Sequence, residues 1–96
     1  MICWVMYDIK EDRIRTKVSK FCMQSGLNRV QYSVFLGQIE PNEKDVLMLK
    51  CQQIINEETD SVYIFPMSKD ELRDTVLLGQ AFDKKLITDR VKALFL

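Results

Sequence analysis

The chain has 96 residues, 47% of them hydrophobic and 29% charged, with 14 basic and 14 acidic side chains and no histidine. This length fits one small domain, and the zero net charge gives no bulk attraction to nucleic acid, so such binding would require local charge clusters. The lack of histidine excludes Ser-His-Asp and Cys-His catalysis and leaves oxygen ligands for a metal, which favours Mg²⁺, Mn²⁺ or Ca²⁺.

The first predicted element is an apolar run over residues 1–7 that ends in Asp8. Such a run predicts a buried strand that brings one carboxylate to the edge of a sheet. The basic stretch over residues 10–20 follows at once, so Asp8 is a candidate for a site that handles a metal ion and a phosphate. The alternative is an N-cap for the next helix or a simple surface acid, since Asp is a favoured cap.

Residues 11–25 have the period of a helix, and Gly26 is placed to end it. The apolar face consists of Ile14, Val18, Phe21 and Cys22, continued by Ser25. A second face carries Arg13, Lys17, Lys20 and Gln24, with Arg15 near the first turn. This basic face indicates either binding of nucleic-acid phosphates or ordinary solvation.

Residues 28–39 alternate in the manner of a strand. One side is predicted to hold Val30, Tyr32, Val34 and Leu36, and the other Arg29, Gln31, Ser33, Phe35 and Gly37. Twelve residues are long for one strand, so either a single strand or two strands broken near Tyr32 and Ser33 fits the pattern.

Pro41 suits the first position of a second helix. The apolar face predicted for this helix is Leu47, Cys51, Ile54 and Ile55, with Met48 beside them. Residues 60–61 then open a strand over residues 62–67, in which Pro66 marks the end or an edge position.

The last third gives weaker signals. Residues 68–71 form a capping-box pattern that predicts a short helical turn, and residues 75–79 suit a further strand. The apolar residues 91–96 predict a C-terminal tail that docks on its own sheet or on a partner. We therefore divide the chain into a domain over residues 1–80 and a tail over residues 81–96.

The element order predicts an α+β fold, a ferredoxin-like sandwich with a βαββαβ core and an extra C-terminal strand or tail. Two helices cover one sheet face, and the apolar residues of the other face require a cover. A second copy of the chain is the simplest cover, which predicts a homodimer.

The three cysteines, Cys3, Cys22 and Cys51, form no Cys-x-x-Cys pair, which is typical of free buried thiols in a reducing compartment. No apolar run reaches the roughly 20 residues that span a bilayer. The first residues lack a basic segment followed by a cleavage site. These features predict a cytoplasmic protein without a membrane partner.

Several segments together resemble the Cas2 family of CRISPR-associated proteins, the small subunit of the spacer-acquisition module. The resemblance covers about residues 1–67 and is specific only in combination, and residues 68–96 match loosely. It is carried by residues 5–9, 26–35 and 60–62, together with Asp12, Arg15, Gly37 and Pro41.

The resemblance implies a homodimer in which two Asp8 side chains face each other across a twofold axis and bind Mg²⁺ or Mn²⁺. In the family this paired acid is proposed to cleave phosphodiester bonds in RNA or DNA. Arg15, Arg29 and Phe35 match positions implicated in activity, and Ser33 matches a small polar position near the acids.

The family dimer also bridges integrase subunits and lies along a double-stranded protospacer. This role implies that Arg13, Arg15, Lys17, Lys20 and Arg29 contact nucleic acid, either that duplex or single-stranded RNA. Three functions stay open at this point: a metal-dependent endonuclease, a DNA-holding scaffold for an integrase, and a toxin-like ribonuclease of similar fold that cleaves messenger RNA.

Overall fold

The computed structural model describes residues 1–79. In chain order its elements are β1 (Ile2–Asp8), α1 (Asp12–Gln24), β2 (Asn28–Gln31), β3 (Val34–Gln38), α2 (Pro41–Ile54), β4 (Ser61–Met67) and α3 (Lys69–Asp74). The strands form an antiparallel sheet in the order β2-β3-β1-β4. This is the predicted ferredoxin-like arrangement. Strand β4 lies at an edge of the described sheet, where Pro66 is tolerated because the N–H that proline lacks has no neighbouring strand to pair with.

One face of the sheet packs against α1 and α2. Alternate β1 residues Cys3, Val5 and Tyr7 point to this face, because successive side chains of a strand point to opposite sides. They join the buried stripe of α1 and the buried residues of α2 in one core. Its helical members are Ile14, Val18, Cys22, Leu47 and Cys51.

The opposite face has its own apolar cluster. Ile2 and Trp4 of β1 pack there with Leu36 of β3 and with Leu72 of α3, and all four are buried. The Trp4 indole N–H donates to the Met67 sulfur at 3.0 Å. The prediction that this face depends on a second subunit for its cover is therefore wrong in part, because α3 of the same chain covers some of it. The homodimer stays a prediction.

A tight turn divides the predicted strand over residues 28–39 into β2 and β3. The break lies at Tyr32 and Ser33, and the Tyr7 backbone N–H donates to the Ser33 carbonyl at 3.1 Å. Tyr32 is 74% exposed and does not share a face with Val30, contrary to the alternation. A shift of register between Arg29 and Gln31, followed by the turn, interrupts the period of two.

Two further expectations are wrong. Residues 75–79 form no strand, because Thr75 instead ends α3, its hydroxyl donating to the Glu71 carbonyl at 2.8 Å. Met48, expected on the apolar face of α2, is half-exposed, whereas Leu47 and Cys51 are buried. The tail over residues 81–96 and its boundary lie outside the described residues.

The predicted helix ends are confirmed. Gly26 follows α1 with φ of 98°, a left-handed conformation that glycine adopts without steric cost. Pro41 begins α2, and Ser68 with Glu71 forms the capping box of α3. No helix within residues 1–79 is long and apolar enough to cross a membrane.

The thiols are free and buried, as predicted. Burial raises the pKa of Cys22 to about 12 and that of Cys51 to about 11, because a thiolate loses its hydration in the core. These thiols are therefore part of the packing and are poor nucleophiles.

Candidate metal and nucleic-acid site

Asp8 is the last residue of β1, and its side chain is exposed. It lies opposite Ser61 of β4, and by strand alternation it belongs to the sheet face that carries Ile2 and Trp4. The N-cap of α1 is Glu11, so the alternative role of Asp8 as a helix cap is wrong. A strand end thus presents one free-standing carboxylate to solvent.

Within residues 1–79, Asp8 does not belong to a cluster of metal-ligating side chains. Among residues 1–79 there is no cluster of three or more His, Cys, Asp or Glu side chains that could hold a metal ion. Mg²⁺ is usually bound through one or two carboxylates with waters completing an octahedron. An exposed carboxylate fits such an ion, provided that a second copy of the chain brings the second Asp8.

Asp60, in the loop just before β4, supports the chain next to Asp8. The Asp60 carboxylate accepts hydrogen bonds from the backbone N–H groups of Lys10 and Asn56, each at 3.0 Å. It therefore ties the loop after β1 to the loop before β4, just beyond the Asp8–Ser61 pair at the end of the ladder. These backbone hydrogen bonds lower the pKa of Asp60, since they favour the charged form.

We expect Asp60→Ala to lower the urea midpoint at pH 7 and to loosen the loop after β1. Because the folded pKa is lowered, the stabilisation is complete above the ordinary pKa of 3.8 and is lost as the pH falls through the folded pKa. The difference between Asp60→Ala and the parent chain should therefore narrow below pH 3.8. Urea titrations at several pH values measure this.

Asp45→Ala is the matched control, because it removes an exposed carboxylate of α2 that contacts Lys44 at 3.8 Å. A pH-independent difference for Asp60→Ala, or an equal effect of Asp45→Ala, would contradict the role given to Asp60.

Arg15 holds the turn between β1 and α1. Its guanidinium donates to the Ile9 carbonyl at 3.1 Å and to the Lys10 carbonyl at 3.2 Å, and it pairs with Asp12 at 2.5 Å. Hydrogen bonding to Asp12, and then interaction with Tyr32, raise the pKa of Arg15. Most of its donors are thus engaged within the chain, which indicates a structural part for Arg15 beside Asp8.

Arg29 is the more available cation. It is exposed on β2, and its guanidinium carbon lies 5.2 Å from the centre of the Phe35 ring, a cation–π arrangement. Phe35 is fully buried and stacks on Tyr7 with ring centres 6.2 Å apart. Burial raises the pKa of Tyr7, and nearby Arg29 opposes that rise. The buried Phe35 ring therefore supports the Arg29 guanidinium from below.

A pocket of about 240 Å³ opens where these groups meet, on the helix-covered side of the sheet. Two arginines and two tyrosines from three elements and a turn surround it. The lining residues are Tyr7, Asp12, Arg15, Thr16, Ser19, Arg29 and Tyr32.

The predicted nucleic-acid residues do not form one cluster. Arg15 and Arg29 share this pocket, whereas Arg13 lines a different one with Lys10 and Asp60. Two residues along a helix correspond to a rotation of about 200°, so Arg15 projects away from the stripe of Arg13. Lys17 and Lys20 continue that stripe and are exposed.

Ser33 lies in the β2–β3 turn and is half-buried. Its carbonyl accepts from the Tyr7 N–H, and Tyr7 directly precedes Asp8 in β1. Sequence reasoning missed Tyr32 and Asp12 as members of the pocket. The signal for Asp12 was its spacing of three residues before Arg15, which favours an ion pair on a helix.

Comparison with known proteins places most of the described region in one family. Residues 1–75 match the family described as CRISPR associated protein Cas2. A protein of Archaeoglobus fulgidus named CRISPR-associated endoribonuclease Cas2 1 is 36% identical over 67 residues, which is 70% of this chain and 71% of that protein. The endoribonuclease Cas2 of Desulforudis audaxviator is 39% identical over 69 residues, 72% of this chain and 65% of that protein.

The fold agrees with a solved structure. The crystal structure of Cas2 from Streptococcus pyogenes is similar with a TM-score of 0.70 and 32% identity, and the similarity covers 82% of this chain and all of that one. The sequence and the backbone therefore point to the same family.

Proposed function

The chain belongs to the Cas2 family of CRISPR-associated proteins, and we propose that it works in spacer acquisition as a homodimer that holds a protospacer duplex and bridges integrase subunits. The exposed Arg13, Lys17 and Lys20 on one stripe of α1 support the DNA-holding part of this proposal. Their charges are concentrated on one helix although the chain as a whole is neutral, and clustering of this kind creates a local field that attracts phosphates.

The proposal includes phosphodiester hydrolysis at a pair of Asp8 side chains, one from each copy. The relatives named endoribonuclease support this activity. The observation that carries this part of the proposal is the solvent-exposed Asp8 carboxylate at the end of the central strand β1. In the described part of the chain no cluster of metal-ligating side chains offers an alternative site. Closed point symmetry supplies a second Asp8 without any further acid in the sequence.

Asp8 and its symmetry mate would hold Mg²⁺ or Mn²⁺, which when bound acidifies a coordinated water and stabilises negative charge on a phosphate. The chain's own part is to fix the carboxylate through the β1–β4 pairing and the Asp60 bridge. Arg29, held over the Phe35 ring, supplies a cation for a phosphate oxygen at the same end of the sheet.

Holding DNA and cleaving nucleic acid use different residues in this proposal. One carboxylate per chain makes a minimal catalytic site, since the sequence has no histidine and residues 1–79 contain no cluster of further metal-ligating side chains. We therefore assign the scaffold role as the principal one. Removal of the hydrolytic site should leave duplex binding intact, and co-elution with the integrase should survive it.

We expect the paired substitution Lys17→Ala and Lys20→Ala to reduce the salt dependence of duplex binding. Each phosphate contact contributes a slope of about −0.9 to log K against log salt concentration, so the slope should become less negative by roughly 2. Affinity should fall alike for all sequences, since phosphate contacts position a duplex without reading its bases. Fluorescence anisotropy at several salt concentrations measures the slope.

The charge-matched control replaces Lys44 and Lys50 of the neighbouring helix α2 with Ala. An unchanged slope for the Lys17 and Lys20 variant, a loss confined to one DNA sequence, or an equal change in the control would place the duplex elsewhere on the protein.

A further inference from the structure

One exposed aromatic side chain has no role in the fold. Tyr32 lies in the β2–β3 turn, 74% of it is exposed, and it forms a wall of the pocket that contains Arg15 and Arg29. Aromatic side chains usually bury much of their area, whereas this ring is largely exposed. Arg15 lines the same pocket.

The turn brings Tyr32 to the same end of the sheet as Asp8. The Tyr7 N–H donates to the Ser33 carbonyl at 3.1 Å, Asp8 directly follows Tyr7, and Tyr32 directly precedes Ser33. Consecutive Cα atoms are about 3.8 Å apart, so both residues flank one hydrogen-bonded pair. The Tyr32 pocket opens on the helix side of the sheet, and Asp8 lies at the end of β1 on the other side.

The chemistry of the pocket suits a ligand that carries a small anionic group next to a planar ring. Arg15 is balanced by Asp12, which leaves Arg29 as the net positive charge. A volume of about 240 Å³ lies below the roughly 300–1,000 Å³ of sites that enclose a whole ligand. An exposed ring next to a guanidinium is the combination on which unpaired nucleotides stack a base and anchor a phosphate.

We infer that this pocket holds one unpaired nucleotide of a single-stranded substrate, with its base stacked on Tyr32 and its phosphate on Arg29. The inference rests on the proposed nucleic-acid function and adds to it a subsite, built around Tyr32, that binds one nucleotide. The strand then continues around the sheet end towards Asp8. Bases inside a duplex already stack on one another, so Tyr32 contributes to single-strand binding and not to duplex binding.

The test measures binding without hydrolysis, in the Asp8→Asn background and with EDTA present. The probe is a single-stranded oligonucleotide that carries 2-aminopurine, whose fluorescence falls when its base stacks. Tyr32→Ala should weaken single-strand binding about 5- to 100-fold and abolish the fall in fluorescence. Tyr32→Phe and Tyr32→Trp keep a ring and should stay within about threefold of the parent, the low end of the effect of losing one hydrogen bond.

Unchanged single-strand binding by Tyr32→Ala would overturn the inference. So would an equal loss on a duplex of the same length, which indicates a backbone groove, or an equal loss in Tyr32→Phe, which indicates that the hydroxyl acts only through Arg15. Because Tyr32 is exposed, the variants should share the parent's melting temperature, which checks the fold. Hydrolysis does not enter this readout, and duplex binding by the parent is measured separately, so failure of the proposed function is distinguishable from failure here.

Discussion

Asp8→Asn should reduce metal-dependent phosphodiester hydrolysis by roughly 10²- to 10⁴-fold. A metal contributes several kcal/mol of charge stabilisation to such reactions, and each 1.36 kcal/mol corresponds to a factor of ten in rate. Asparagine keeps the size of the side chain but loses the charge that holds a divalent cation. Single-turnover cleavage of a labelled RNA, with Mg²⁺ at saturation, measures the effect.

The matched control is Asp45→Asn, which removes an exposed carboxylate from α2, far along the chain from β1. It should cleave at the parent's rate. Duplex binding by Asp8→Asn should also be unchanged, because the proposed DNA contacts lie on α1. Hydrolysis that persists in Asp8→Asn would mean that another site, or a contaminating nuclease, performs the reaction.

Phe35→Ala should destabilise the folded protein by about 3–5 kcal/mol, the usual cost of removing a fully buried aromatic ring. Phe35 is 0% exposed, stacks on Tyr7 and supports Arg29, so truncation leaves a cavity at the centre of the larger core. Small domains are stable by only about 5–15 kcal/mol, so this is a large fraction of the total. Urea unfolding followed by circular dichroism measures it.

Phe35→Leu is the control that separates packing from chemistry. It keeps most of the apolar volume while removing the ring beneath Arg29. If Phe35 acts through the core, activity of Phe35→Leu at a temperature well below unfolding should remain within a few-fold of the parent. A stable Phe35→Leu protein without activity would instead show that the ring itself takes part in binding.

Periodicity made most of the fold predictable. The stripe of Ile14, Val18 and Cys22 marked α1 because a core requires contiguous apolar surface at helical spacing. Short-range chemistry was equally informative at the element ends, where Pro41 and the pair Ser68 and Glu71 act within one turn. These signals are local, so they survive without knowledge of the tertiary structure.

Elements that depend on long-range context were predicted less well. Residues 75–79 have the composition of a strand, yet Thr75 ends a helix instead. The second sheet face looked uncovered because Leu72, its cover from α3, lies far along the chain from Trp4. The secondary-structure propensity of a segment cannot predict such contacts, because the burial of a residue depends on which distant segments the fold packs against it.

The sequence predicted the acid at the strand end, but it did not predict which side chains lie around that acid. Asp8 followed from an apolar run that ends in a carboxylate, but the division of the arginines did not. Arg15 was grouped with Arg13 by charge, and only the fold shows that Arg15 turns towards the Ile9 carbonyl and shares a pocket with Arg29. The alternating pattern assigned Tyr32 to a strand face. This assignment is wrong because a turn at Tyr32 breaks the alternation and exposes the side chain.

The stoichiometry of metal binding tests the paired-Asp8 proposal most directly. Mn²⁺ titrated into the purified protein, with free ion followed by electron paramagnetic resonance and oligomeric state by light scattering, reports both at once. The proposal predicts one ion for every two chains, bound by a dimer and lost in Asp8→Asn. One ion per chain, binding by a monomer of 11.3 kDa, or undiminished binding in Asp8→Asn would contradict it.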